Sequence, residues 1–436
     1  MQTPVGYFTG IVERPVFFLL VFFTFLVIFI FSRLINDYRS RWMLAVCLLS
    51  IFMYSGIGIS FQDVDNKYVS FYTIFILSFS LPFLVFGNTS TQRQKSELDF
   101  CLLKRYKVLH IVAFLYLIFL FIPLVYPEFK LFNPITIRDE YWESIDEYRS
   151  NPLISITDTF AMLIKPFFFA YLSIYLLRHP KGKKHLFLFG IVILFTFIRL
   201  HYLGRNQMST FAVEFLLIAF CIKGLDIRIK KRYIIAVVLI ALYFVPYLYA
   251  QTFYRHGESF DKGILSFMDI ANLLFDSEFF YPIYYDEILK NPYFDTQTAL
   301  AYFLYVICLP IPSFIWASKP SLAIADSFTY AILGVERGDV GFHIILPSVM
   351  GESLLFFGDR YFWVFAIFSG FVVAMITRYL CRHKTMTLYL FYLIIQAFTY
   401  GRGGTAALLP TLINGVLGII IFDLFIYINK TGKKNL

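Results

Sequence analysis

Three arginines stand beside glycines where apolar runs begin or end: Arg205 in Tyr202-Leu203-Gly204-Arg205-Asn206-Gln207, Arg255 in Phe253-Tyr254-Arg255-His256-Gly257, and Arg402 in Tyr400-Gly401-Arg402-Gly403-Gly404. A guanidinium presents its N–H donors as a planar fork that matches phosphate oxygens, and a glycine beside it lets a ligand approach the backbone closely. A shared site built from the three fits a diphosphate. Taken singly, each also reads as an interfacial arginine reaching lipid headgroups. Arg199 and His201 precede Arg205 on the same run, where His201 reads as structural or interfacial.

A second group lies in Gly341-Phe342-His343, Pro347-Ser348-Val349-Met350-Gly351-Glu352-Ser353 and Phe356-Phe357-Gly358-Asp359. Glu352 falls inside an apolar run, where a carboxylate must take up a proton or find a cation. That suits a general base or an arginine partner, and a purely structural ion pair would look the same. His343 has an equal claim as base by chemistry and a weaker one by burial. Lys165 and Glu214 also sit inside apolar runs and read as a structural pair, although an ion path would use the same residues. Asp63 and Asp65 form a triplet with Val64 that gives only weak grounds for a divalent metal, so no metal and no other cofactor is expected. The five cysteines show no paired spacing, and no Walker loop, His-Glu-x-x-His helix or nucleophile triad is present.

The elements that must position these residues are membrane spans. The 436 residues are 59% hydrophobic and 15% charged, with a mean hydropathy of +0.69, far from the balance of a soluble domain. A spanning helix needs about 20 mostly apolar residues. Such runs place eleven spans at 15–32, 42–60, 69–87, 108–126, 153–177, 185–203, 208–225, 233–250, 361–377, 385–400 and 406–428. The first run lacks a small-residue cleavage site and is expected to remain as a span. Segments 33–41, 93–107, 178–184, 223–232, 378–384 and 430–434 hold 23 of the 38 basic residues, against Asp37, Glu97, Asp99 and Asp226. By the positive-inside rule these face the cytoplasm, which puts the N-terminus outside and the C-terminus inside. The net charge of +9 is thereby a topology signal, and nucleic acid is not an expected partner.

The chain then divides into spans one to eight with short loops (1–250), a large external segment (251–360) and three closing spans with a cytoplasmic tail (361–436). The segment 251–360 is too long for an ordinary connection, and its aromatic residues threaded through Asp and Glu predict a folded external domain. Within it, 298–316 and 343–357 read as surface or re-entrant helices, the first broken by Pro310 and Pro312, the second interrupted by Pro347 and Gly351. Were both to cross, thirteen spans would result. No internal repeat or low-complexity tract is visible.

These features resemble the Wzy-type polymerases of O-antigen and capsule repeat units. The resemblance rests on Gly204-Arg205 opening a span, the large late external loop, Pro347-Ser348 with Gly351-Glu352 and Phe357-Gly358 before a span, and Arg402-Gly403 beginning the last one. It covers most of 195–425 and is mainly architectural before that. It implies an all-α polytopic membrane protein of GT-C type acting on the external face of a bacterial cytoplasmic membrane. Its substrates would be oligosaccharide repeat units on undecaprenyl diphosphate, exported by a flippase and served by a chain-length regulator. Carried over by position, Arg205 and Arg402 match external arginines of the family, Arg255 more loosely, and Glu352 falls on one of its motifs. A lipid-linked glycan ligase or another GT-C enzyme would use a similar site, and a flippase of lipid-linked sugars is the alternative from another class.

Overall fold

Without water, an apolar stretch satisfies its backbone hydrogen bonds internally only as helix, and helix is what the described apolar runs form. The computed structural model describes residues 15–61, 64–87, 281–290, 324–335, 345–346, 348–382 and 399–404, with isolated positions between 111 and 164, 300 and 318, and 397 and 424. No strand occurs among the described residues. In chain order they contain α1 (Pro15–Leu34), α2 (Tyr38–Ile51), a π-helical turn (Phe52–Gly56) and α3 (Ile57–Phe61). There follow α4 (Lys67–Phe86), a 3-10 turn (Tyr281–Tyr284) leading into α5 (Tyr285–Lys290), α6 (Ile324–Leu333) and α7 (Ser348–Arg382).

Four of the described helices are long and apolar enough to cross a membrane: Pro15–Leu34, Arg39–Phe61, Lys67–Phe86 and Ser348–Tyr379. They overlie the spans expected at 15–32, 42–60, 69–87 and 361–377. The other expected spans lie wholly or largely outside the described residues. The chain separates into two compact units, Met1–Asp99 with Ala271–Leu436, and Phe100–Ile270. All the helices named here belong to the first.

Each of the early helices carries two stripes. On α1, Leu20, Thr24, Val27 and Phe31 are buried, while Phe18, Phe22, Phe25 and Phe29 are more than half exposed. On α4, Tyr68, Tyr72, Phe75, Phe79 and Phe83 are buried, while Ile74, Leu77, Leu81 and Val85 are exposed. Both sets step by three or four residues, so each helix shows one face to the bundle and one apolar face outward. An apolar outward face is what lipid requires.

The connection between α1 and α2 is three residues long. Asp37 caps α2, its Oδ2 accepting from the Ser40 N–H and the Ser40 hydroxyl, both at 3.0 Å. Arg41 Nε donates to the Ile35 carbonyl at 2.6 Å and closes the turn. A short turn forces α2 antiparallel to α1. The Thr24 hydroxyl meets the Tyr72 hydroxyl at 2.7 Å, and Asp37 N–H donates to Gly87 at 3.3 Å, so α1 and α4 run alongside each other in the same direction.

Helix α7 has two parts joined at Gly358, whose φ of 65° and ψ of −171° are not helical. Residues 348–357 form a short helix whose positions 348–356 are all buried. Beyond Gly358 the chain turns and packs against α4. Phe71 meets Phe362 with centroids 4.7 Å apart, Gly370 lies against the Phe79 backbone, and Arg378 lies over Phe86 at 5.7 Å. Contacts advance together along both helices, which makes them parallel.

The sequence reading places an interruption at Gly351, whereas Gly351 is helical and the break falls at Gly358. An interior glycine weakens a helix by only about 1 kcal/mol, which burial of its neighbours offsets. At Gly358 the backbone itself is one that glycine alone adopts readily. No atom lies within 4 Å of where a methyl group would stand at Gly358, so Gly358→Ala tests conformation without crowding. We expect it to destabilise the protein by about 1–3 kcal/mol, read as a lower unfolding midpoint in detergent. An unchanged midpoint would show that the turn is not constrained in this way.

Candidate active site

Two of the residues singled out by their chemistry, Glu352 and Arg402, lie on segments that border a buried polar seam in the first unit. From α2, Ser50 Oγ accepts the N–H of Gly401 at 2.8 Å. A side chain at Gly401 would collide with the Ser50 backbone, so the absence of one permits this approach. The Tyr400 hydroxyl donates to Ser369 on α7 at 3.0 Å, and the Tyr400 ring packs on Phe79. Segment 399–404 is therefore held between α2, α4 and α7.

Glu352 is fully buried on the short half of α7. The backbone of Gly404 lies directly against its carboxylate: a methyl group at Gly404 would overlap Oε2 and stand 2.8 Å from Cδ. Gly404 has a φ of 65°, so both its conformation and its neighbour call for glycine. Arg402, two residues earlier on the same segment, is half-buried. Tyr305 is within electrostatic reach of the carboxylate. Glu352 therefore meets Gly404, and Arg402 stands two residues earlier on that segment.

This meeting point lies well inside the bundle. At 1.5 Å per residue, Ser50 is roughly 16 Å of helix from Phe61 and Ser55 is roughly 9 Å. The sequence reading sets Arg402 at the external end of a span, yet its segment reaches the level of Ser50. Three glycines around Arg402 leave no side chains to hold that backbone away from α2 and α7.

Of the remaining sequence candidates, Arg205, Arg255 and His343 lie outside the described residues, as do Lys165, His201, Glu214 and Asp63. Asp65 is described and serves α4, its Oδ1 accepting the Lys67 N–H at 2.9 Å. No cluster of three His, Cys, Asp or Glu side chains suited to a metal occurs among the described residues.

The structure adds residues the sequence did not single out. Ser50 and Ser55 are five apart, which in an α-helix points them about 140° from each other. The π-helical turn at Phe52–Gly56 turns less per residue and so narrows that angle, and both serines reach partners from the last third of the chain. Such turns recur at functional sites. No pattern of spacing announces one.

At the edge of the bundle the site is tied to α5. Lys67 Nζ and the Tyr68 hydroxyl both donate to Asp286 Oδ1 at 2.7 Å, and the Tyr68 ring meets Tyr285 edge-on at 5.3 Å. The Lys67 hydrogen bond, followed by that from Tyr68, holds Asp286 below the ordinary aspartate value of 3.8. A carboxyl depressed on folding adds stability above its unfolded value and loses it as pH falls through the folded one. Asp286→Asn should therefore lower the unfolding midpoint at neutral pH, with the difference from wild type shrinking below about pH 4. Because the Lys67 and Asp286 side chains are each 40% exposed, the effect is held to about 1 kcal/mol or less. A difference that persisted unchanged at pH 3 would rule this linkage out.

Gly404→Ala should be far more damaging, since it strains the backbone and drives a methyl into the carboxylate. We expect a loss of at least about 2 kcal/mol in detergent unfolding, against which wild-type stability would contradict the packing described. Comparison with known proteins finds no matching family model, no matching curated protein and no matching solved structure.

Proposed function

We propose that this chain is a membrane glycosyltransferase of GT-C type, with about eleven spans, that polymerises oligosaccharide repeat units carried on undecaprenyl diphosphate. The observation that carries the reading is the convergence of a fully buried carboxylate, Glu352, with the glycine-rich segment of Arg402. Polymerisation needs both kinds of group. The acceptor hydroxyl attacks the anomeric carbon of the growing chain, the bond from that carbon to the phosphate oxygen breaks, and the lipid diphosphate leaves as an anion. Arg402, with Arg205 and Arg255, would hold the diphosphate and stabilise its developing charge. Glu352, or His343, would accept the proton of the attacking hydroxyl. No metal is required when arginines neutralise the leaving group.

In this reading the site opens to the external face of a bacterial cytoplasmic membrane, with the N-terminus outside and the C-terminus inside. The aromatic segment 251–360 offers platforms for sugar rings. A flippase would supply the lipid-linked units, and a chain-length regulator would act on the product. The parallel course of α4 and α7 agrees with spans that both enter from outside.

The test is the surface-glycan ladder of a strain lacking this gene, with wild type, Glu352→Gln or Arg402→Lys restored. Wild type should restore the ladder over a single repeat unit. Each variant should express normally and slow elongation by about 100-fold or more, since Gln cannot take the proton and Lys lacks the planar fork. Loss of all surface repeat units from the deleted strain would point to a flippase or a ligase. A normal ladder in both variants would remove these residues from the chemistry.

A further inference from the structure

Three buried hydroxyls meet beside Glu352 and take no part in the reaction as drawn above. Tyr285 Oη and Ser348 Oγ are 2.9 Å apart. Tyr285 also donates toward Ser55 Oγ, and Ser55 toward Ser348 Oγ, both at 3.4 Å. All three residues are buried. Ser348 Oγ additionally accepts the Gly351 N–H at 3.2 Å, which caps the first turn of the short helix.

The backbone at this point is unusual. Ser348 has a φ of 59°, the one non-glycine residue with positive φ among those described. A side-chain oxygen held from three directions offsets a conformation that L-residues avoid. Glu352 follows four residues later, one turn along the same face. Whatever fixes the direction in which the helix leaves Ser348 fixes where the Glu352 carboxylate meets Gly404.

We propose that Tyr285 and Ser348 are positioning residues for Glu352, a role that rests on the function proposed above. Their hydroxyl pair anchors the start of the short buried helix and aims the carboxylate at the Arg402 segment. Tyr285 arrives from the long segment between the early and late spans, and its neighbour Asp286 is held by Lys67 and Tyr68. One six-residue helix, α5, thereby joins the bundle edge to the buried carboxylate through two adjacent residues. A polymer strand that shifted α5 would change the aim of Glu352.

The experiment compares Tyr285→Phe, Ser348→Gly and the double variant in proteoliposomes, using lipid-linked repeat units extracted from cells that lack the gene. Phenylalanine keeps the ring and removes only the hydroxyl. Glycine accepts a φ of 59° freely and starts a helix nearly as well as serine, so neither change should cost much folded protein. Each single variant should lower kcat about tenfold with KM and unfolding midpoint near wild type. The double variant should be no slower than Ser348→Gly alone, because that change already removes the 2.9 Å partner of the Tyr285 hydroxyl. Wild-type kcat in either single variant, losses that multiply in the double, or a loss of turnover matched by loss of folded protein would each overturn the proposal. Wild-type protein that fails to elongate the units would instead remove the proposed function, and this inference with it.

Discussion

A carboxylate enclosed in an apolar bundle has to be met by polar atoms, because leaving charge or hydrogen-bonding capacity unanswered there costs several kcal/mol. The surroundings of Glu352 are arranged around that requirement. The Gly404 backbone lies against the Oε2 side of the carboxylate, and Arg402 rides on the same segment. The short helix that carries Glu352 exists as a separate piece because Gly358 turns the chain before it packs along α4. Remove that turn and the carboxylate would continue in line with the span.

The rest of the first unit shows how such a site is held without a strong hydrophobic drive. In lipid, helices gain little by hiding apolar surface from one another, so close backbone approach and interhelical hydrogen bonds do more of the work. Gly370 lets α7 touch the Phe79 backbone, and Gly401 lets its segment touch Ser50. Thr24 with Tyr72, Ser50 with Gly401 and Tyr400 with Ser369 add three such bonds across elements distant in sequence. Model systems place each at about 0.6 to 2 kcal/mol. The same small and hydroxyl-bearing residues that permit packing also leave a polar lining at the depth of Glu352.

The four described spans were legible in the sequence because they depend on local hydropathy. A run of about 20 apolar residues has few alternatives to a span, and the described helices at 15–34, 67–86 and beyond Gly358 fall where those runs are. The charge of Glu352 in an apolar run and the glycines around Arg402 marked both residues as unusual before any geometry was known. That the Glu352 carboxylate meets the segment of Arg402 was not legible, since it depends on packing between stretches about 50 residues apart. The break at Gly358 and the π-helical turn beside Ser55 were hidden for a related reason. Composition does not reveal which glycine adopts a left-handed φ, nor where a helix gains a residue. Arg205, Arg255 and His343 were read from the sequence alone and lie outside the described residues.

Central to the proposed function is a diphosphate held by Arg402, whose segment meets Glu352 at Gly404. Its most direct test is a cryo-electron microscopy structure of the full chain in a lipid nanodisc with its lipid-linked repeat unit bound. The account requires phosphate density within hydrogen-bonding distance of the Arg402 guanidinium, with the Glu352 carboxylate facing the space where an acceptor hydroxyl would enter. Phosphate density elsewhere, with Glu352 still enclosed against Gly404 and no path from it to the ligand, would contradict it.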